Sequence, residues 1–452
     1  MFAITVCFLL FESFMPTFSI LTLGCRANQS DSQRIAELLR QGGYEQVGQE
    51  EFADIGIMNS CTVTAEADRK GGQMLRRLQR KCSLVIATGC GTAKKGGLWD
   101  HIPEGVVIVP PSERENILRI IEKQQINITV GKRAANDANS DVCASKEDSG
   151  SEASADSFVR HRTRALLKVQ EGCNHMCTFC IVPRVRGPLK SFEADELLPK
   201  IDGLIPEGFK EIVFTGTHLA LWGRDPKSKI LFRERGCEGR SFADLVEELI
   251  LKTEGVRFRI SSIEPMSFPK KLLDLMKAYP DRLCPHLHLV VQHASDRILK
   301  AMHRDYTLEE YEALAAEFLN SVPGACLTTD ILLGFPGETE EDMEILEAFL
   351  RRVPFYHLHV FPYSRRQGTP AAEMADQVPE PIKKERVRRI IALGEESARQ
   401  VYDSFRGTER AVLVERSAKR PGYVSGTADN FLSVEFEGDA SLIGEIVKVK
   451  IP

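Results

Sequence analysis

Apolar positions in the first hundred residues fall into three short runs, SILTLGC, ADIGIMNSC and LVIATGC. The first two lead into stretches with helical spacing, SDSQRIAELLRQ and AEADRKGGQMLRRLQRK. Short apolar runs alternating with amphipathic ones predict βα units on a parallel sheet. The alternation resumes from about 165 to 363, with strand runs ALLKVQEGC, EIVFTGTH, FRISSIE, HLHLVVQ, CLTTDILLGF and HLHVFPY. Between them SFADLVEELILK, YEALAAEFL and MEILEAFLRRV carry amphipathic spacing. Six such strands predict a second parallel sheet, and periodicity leaves it either open or curled into a partial barrel. A basic helix at roughly 381–404 precedes AVLVER, GYVSG, FLSVEFEG and EIVKVK, which alternate and turn at glycines. That pattern predicts a small all-β module.

Residues 135–157 are rich in Ala, Ser, Asp and Glu, without aliphatic periodicity, and predict a flexible linker. The fold class is therefore α/β: an N-terminal βα domain at 15–130, a linker at 131–157, a central domain at 158–390 and a β module at 391–452. The apolar run at the N-terminus stops at Glu12, short of a membrane span and without the positive flank of a signal peptide. Met15, just ahead of the first strand, is read as the start.

Composition changes this picture little. Hydrophobic residues make up 43% and charged residues 27% of 452, ordinary globular usage. Lys and Arg number 59 against 64 Asp and Glu, so no overall basic balance marks a nucleic-acid binder. The 12 cysteines are too sparse for a disulfide scaffold and suit metal sites in a reducing cytoplasm.

Cys173, Cys177 and Cys180 form a C-x3-C-x2-C loop directly after the first strand of the central domain. Three thiolates on one tight loop can hold three irons of a cubane cluster and leave the fourth open for substrate. The same loop would suit structural zinc with His175 as the fourth ligand. Cys25, Cys61 and Cys90 share one address, the carboxyl end of a strand in a βα unit. Parallel strands present those ends on one edge, so these three are expected to converge on a metal or redox centre. Their alternative is a set of buried core cysteines. Cys7, Cys82, Cys143, Cys237, Cys284 and Cys326 match no ligand pattern.

The compact loop resembles the radical S-adenosylmethionine (SAM) signature. That resemblance implies a [4Fe-4S] cluster whose open iron chelates SAM, with SAM contacts at Gly216, Ser261, Ser262, Glu264 and Gly334. LGCRANQSDS, NSCTVTAEADRK, TGC, LLKVQEGCNHMCTFCIVPRVRG, SSIEP, DILLGFPGETEED and HVFPYSRRQGTPA together resemble the radical-SAM methylthiotransferases. The likeness runs from about 17 to 450 and implies a flavodoxin-like N-terminal domain, a partial (β/α)6 radical-SAM barrel and a TRAM-like C-terminal barrel. It implies a second, auxiliary [4Fe-4S] cluster on Cys25, Cys61 and Cys90, and the SAM cluster on Cys173, Cys177 and Cys180. NSCTVT followed by AEADRK resembles the branch acting on N6-threonylcarbamoyladenosine beside the tRNA anticodon, with the branches acting on isopentenyladenosine tRNA or a ribosomal protein as alternatives and a non-catalytic RNA-binding zinc protein as the more remote one. The resemblance also implies an electron donor, a sulfur source and no membrane.

The chain departs from that pattern at Gly71-Gly72, Gly91-Thr92 and Gln292-His293-Ala294. Anticodon-loop contacts are expected from local basic clusters: Arg69, Lys70 and Arg76 with Arg77, Arg80 and Lys81; Arg160, Arg162 and Arg164; Arg184, Arg186 and Lys190; Lys383 and Lys384 with Arg386, Arg388 and Arg389. His286 and His288, and likewise His357 and His359, alternate along a strand, so each pair shares a face. Those pairs are read as hydrogen-bonded structural histidines, with a barrel-interior substrate contact as the alternative.

Overall fold

The computed structural model describes residues 15–93, 100–124 and 163–452. The segment before Met15, the linker and Arg160 and Arg162 lie outside the described residues, as do Cys7 and Cys143.

β1 (Thr17–Thr22), β2 (Glu45–Gln46), β3 (Ala53–Ser60), β4 (Cys82–Gly89) and β5 (Val107–Ile108) form one parallel sheet ordered β2-β1-β3-β4-β5. This is the flavodoxin-like order. Phe18, Ile20, Ile55, Ile57 and Ile86 pack beneath α1 (Arg26–Gln41) and α3 (Ile117–Lys123). Leu21, Met58, Val85 and Ala87 point the other way, beneath α2 (Ala65–Gln79). A strand covered on both faces needs apolar residues at successive positions, hence the unbroken runs. Gly72 inside α2 serves packing: a Cβ there would stand 2.6 Å from that of His101.

The central domain begins with β6 (Arg164–Lys168) and a short antiparallel ribbon, β7 (Gln170–Glu171) with β8 (Lys190–Ser191). β6 pairs in parallel with β9 (Glu211–Thr215), and β9 with β10 (Arg257–Ile260). β11 (Ser262–Ile263), β12 (His286–Leu289), β13 (Cys326–Leu333) and β14 (Phe355–Pro362) continue in parallel. Ser261 alone separates β10 from β11, and a parallel bridge from Phe258 to Leu283 carries the sheet towards β12. Neighbours in sequence are neighbours in space, the winding of a barrel. Among the described residues β14 does not pair with β6, so the barrel is partial.

Alternation along each strand sorts its residues. Ala165, Leu167, Ile212, Phe214, Phe258, Ile260, Leu287 and Leu289 join one core with the outer helices. Their neighbours face inward and are polar: Arg164, Glu211, Arg257, Arg259, His286, His288, Thr328, Asp330, His357 and His359. The helix Glu380–Ser404 covers the outside of β14, where a Cβ on Gly394 would stand 2.9 Å from Leu358 Cδ1. This helix runs unbroken through residue 390, where the sequence divides two domains.

β15 (Glu409–Ser417), β16 (Tyr423–Ala428), β17 (Ser433–Glu437) and β18 (Ile446–Lys450) form an antiparallel sheet ordered β17-β16-β15-β18. It curls as a half-barrel and seats on the amino-terminal rim of the central strands. Arg257 donates to the Ala411 carbonyl at 2.8 Å, and Arg259 to those of Ala428 and Asp429 at 2.9 Å. Phe431 stacks on His286 with ring centroids 4.3 Å apart. No described helix is long and apolar enough to cross a membrane.

Candidate metal centres

The compact cysteine loop leaves β7 and returns at β8. Gly172 opens it at φ +71, where a Cβ would stand 2.0 Å from the Pro188 carbonyl oxygen, so only glycine fits. The Cys173 amide donates to Gly187 O at 3.2 Å and the Cys180 amide to Cys177 O at 3.1 Å. Thr178 ties the loop to the helix Asp296–Ala301 through Met302 O and Ala301 O. His175 Nε2 lies 2.8 Å from His303 O, so that nitrogen is committed to a backbone carbonyl, which weakens the zinc alternative. Among the described residues, no three His, Cys, Asp or Glu side chains gather tightly enough for a single metal ion. A cubane makes a different demand, because each thiolate takes a separate iron.

Burial pushes the Cys177 thiol up to about 12 and the Cys180 thiol up to about 11, against the pull of Arg304. Iron binding there must therefore expel protons. Arg304 is buried, donates to Glu264 Oε2 at 2.9 Å and lies over the Phe179 ring. A fixed cation beside thiolates favours their charged form. Nothing in the sequence spacing singled out Arg304, 124 positions beyond Cys180.

The proposed SAM-contact residues stand at the carboxyl ends of β9, β10, β11 and β13, the rim that carries the cysteine loop. The room left by two glycines is filled by protein. A Cβ on Gly216 would meet Gln170 Oε1 at 2.9 Å, and one on Gly334 would meet Lys383 Cγ at 2.3 Å. Ser261 is buried, Ser262 is exposed, and Glu264 is held by Arg304.

The dispersed cysteines converge. Cys25 Sγ lies 3.4 Å and Cys90 Sγ 3.9 Å from one atom, Asn28 Oδ1. A Cβ on Gly24, at φ +128, would stand 2.8 Å from Cys61 Cβ. Gly89, at φ +90, packs against Asn59 Oδ1 and Ser60 O, at 2.3 and 2.4 Å from a built Cβ. Glycine before Cys25 and before Cys90 is thus what lets the three strand exits close on one another. Asn28 Nδ2 donates to Ser60 O at 2.8 Å and Asn59 Nδ2 to Asn28 O at 2.7 Å, fixing the arrangement. Burial pushes the Cys61 thiol up to about 12 and raises that of Cys90. All ten described cysteines are free thiols.

The two triads face each other. α4 (Val182–Arg186) follows Cys180 directly, and its Ile181 neighbour and Val185 pack with Cys90. Arg186 donates to Asn28 Oδ1 at 2.9 Å, to Asp31 Oδ2 at 3.2 Å and to Glu171 Oε1 at 3.2 Å. Asp31 also pairs with Arg114 at 2.8 Å and with Lys168. Burial would raise the Asp31 carboxyl, but these three cations outweigh it and hold it below its ordinary value. Asn28 and Asp31 lie one turn apart on α1, and the first-turn position of Asn28 after Cys25 was the available sequence signal.

Arg186 is thereby corrected: its side chain is buried at 4% exposure against Asn28 and Asp31 and is turned away from solvent. Lys383 is corrected likewise, being buried with its Nζ 3.1 Å from Tyr363 O and 2.7 Å from Glu380. Arg386 is buried on Glu338, and Arg164 turns inward to Glu415 and Thr427. Arg69 and Lys70 are exposed and share Glu66. Arg76, Arg184 and Lys384 are exposed.

His286 Nε2 and His288 Nδ1 both contact Thr328 Oγ1, at 2.9 and 2.8 Å, and His288 Nε2 is 3.0 Å from Asp330. His357 and His359 are exposed on the inner face, their rings 4.4 Å apart. Arg26, next to Cys25, reaches the same interior. Burial, with Arg164 and Arg259 nearby, pulls its guanidinium down to about 10, still charged at neutral pH.

A three-cysteine loop on the carboxyl rim of a partial six-stranded parallel barrel defines a radical-SAM protein. The radical SAM superfamily model matches residues 167–350, and the model of an uncharacterized protein family, UPF0004, matches 17–109. The chain is 36% identical to the threonylcarbamoyladenosine tRNA methylthiotransferase MtaB of Bacillus subtilis, over 97% of this chain and 94% of that protein. It is 33% identical to the enzyme of the same name from Aquifex aeolicus, over 95% and 98%. It is also 34% identical to the tRNA-2-methylthio-N(6)-dimethylallyladenosine synthase of Moorella thermoacetica, over 96% and 95%. The chain belongs to the radical-SAM tRNA methylthiotransferases. Among solved structures it shares its fold with the radical SAM methyltransferase TsrM of Kitasatospora setae, at TM-score 0.52 and 14% identity, over 91% of this chain and 77% of that one.

Proposed function

We propose that this chain methylthiolates carbon 2 of N6-threonylcarbamoyladenosine at position 37 of tRNA. The observation that carries the reading is the facing of the two cysteine triads across Arg186 and Asn28. Cys173, Cys177 and Cys180 would hold the SAM [4Fe-4S] cluster, and Cys25, Cys61 and Cys90 the auxiliary one. The six thiols fit such groups: each set is gathered on one rim and free, with Cys61, Cys90 and Cys173 buried, Cys177 and Cys180 half-buried and Cys25 exposed. When bound, the clusters and SAM supply the radical and the sulfur that an unactivated aromatic C–H position requires. The protein's own part is to hold the two triads facing each other, to exclude water and to orient the base. Arg304 and Glu264 line the SAM side, and Asn28, Asp31 and Arg186 the auxiliary side.

The substrate base must leave its stack to reach the barrel, which suits an anticodon loop. Arg69, Lys70, Arg76, Arg77, Arg80, Arg184, Lys190, Lys384 and Arg388 are the exposed cations of those clusters left to meet its phosphates. An electron donor and a sulfur source are the further partners, in the reducing cytoplasm where free thiols persist. The relatives named for dimethylallyladenosine favour a second reading with that substrate. Mass spectrometry of tRNA nucleosides from a deletion strain separates the two. Loss of methylthio-threonylcarbamoyladenosine is expected, and its persistence would overturn the assignment.

A further inference from the structure

The inward cations of the barrel are nearly all spoken for. Arg257 and Arg259 share Glu211, at 2.7 and 2.6 Å. Arg164 pairs with Glu415 and Thr427, and Arg304 with Glu264. Arg26 differs. Among the described residues its side chain makes no hydrogen bond and no ion pair, although it lies among the charges of Arg164, Arg259, Glu211 and Asp330. The two acids near it are occupied, Glu211 by its arginines and Asp330 by His288 at 3.0 Å. Arg26 is half-buried, and a guanidinium held in the barrel without a partner is free to take an arriving anion.

Its position narrows the anion. Arg26 follows Cys25 in the chain, so whatever it holds lies beside the auxiliary triad. On the inner face of β14 His357, His359 and Phe361 expose their rings, with His359 and Phe361 stacked at 6.3 Å and 10°. Flat rings suit an unstacked base, and a guanidinium fork suits a carboxylate. The substituent of N6-threonylcarbamoyladenosine ends in a carboxylate, whereas a dimethylallyl group carries no charge.

Resting on the substrate reading above, we propose that Arg26 binds the carboxylate of the threonylcarbamoyl group and so sets the substrate. An RNA phosphodiester is the other source of an anion, and the test separates them. Full-length protein, Arg26→Gln and Arg26→Lys are loaded with iron and sulfide. Each is titrated with an anticodon stem-loop carrying threonylcarbamoyladenosine or its carboxamide, and both Kd and kcat/KM are measured. The parent is expected to prefer the carboxylate RNA by about a hundred-fold. Arg26→Gln should bind both RNAs alike, at the parent's affinity for the carboxamide, with unchanged iron content. Arg26→Lys should keep part of the preference. Equal weakening on both RNAs by Arg26→Gln would point to a phosphate or structural role and overturn the proposal. So would a parent that shows no preference. If the parent turns over the threonylcarbamoyl RNA while Arg26→Gln keeps the preference, the inference alone fails. If the parent modifies dimethylallyladenosine RNA and ignores the other, the substrate reading fails with it.

Discussion

Replacing Arg186 by Ala tests the link between the two triads. Its side chain is 4% exposed and donates to Asn28 at 2.9 Å and to Asp31 and Glu171 at 3.2 Å. Stranding a buried ionic partner typically costs about 3–5 kcal/mol. Here Asp31 keeps Arg114 at 2.8 Å and Lys168, so it is not stranded. The expected loss is therefore smaller, about 2–3 kcal/mol, the scale of one charge-assisted hydrogen bond. Arg186→Lys keeps the charge but not the fork, and should lose about 1 kcal/mol. Urea unfolding of the iron-free protein reads this directly, as a fall in midpoint of about 1 M at a slope of about 2–3 kcal/mol/M. Because Asn28 Oδ1 is then no longer fixed between Cys25 and Cys90, the alanine variant should reconstitute to about four irons instead of about eight. An unchanged midpoint together with full iron loading would refute the reasoning.

Cys177→Ala should abolish SAM cleavage, while Cys61→Ala should spare cleavage and stop sulfur insertion; assays of 5′-deoxyadenosine and of methylthiolated RNA report each. Gly89→Ala forces a Cβ to within 2.3 Å of Asn59 Oδ1 at a φ of +90 and should destabilise the N-terminal sheet by about 2 kcal/mol or more, read as a lower melting temperature. Charge reversal at exposed Arg76 or Lys384 should weaken tRNA binding and flatten its salt dependence by about one unit of slope per phosphate contact, whereas Lys383→Met should lower stability and leave that slope alone.

The strand and helix pattern was legible because burial on both faces leaves unbroken apolar runs and burial on one leaves alternation. Whether the six central strands stay flat or curl was not, since both arrangements use the same period; the register from β6 to β14 decides it. The convergence of Cys25, Cys61 and Cys90 was readable from their common place at strand exits, and the structure adds the glycines that let those exits approach. Arg186 and Lys383 misled because a basic residue in a cluster looks the same whether it meets solvent or a buried acid. Arg304 carries no local motif, and its role comes from tertiary contacts alone. Gly72 in α2, unfavourable by helix propensity, is explained by the approach of His101.

The central claim is that six of the ten described cysteines hold two iron–sulfur clusters side by side. Iron and zinc analysis of the full chain purified without oxygen tests it most directly. About eight irons per chain with little zinc is the predicted result, since two cubanes carry four irons each. Two zincs and no iron would contradict the account.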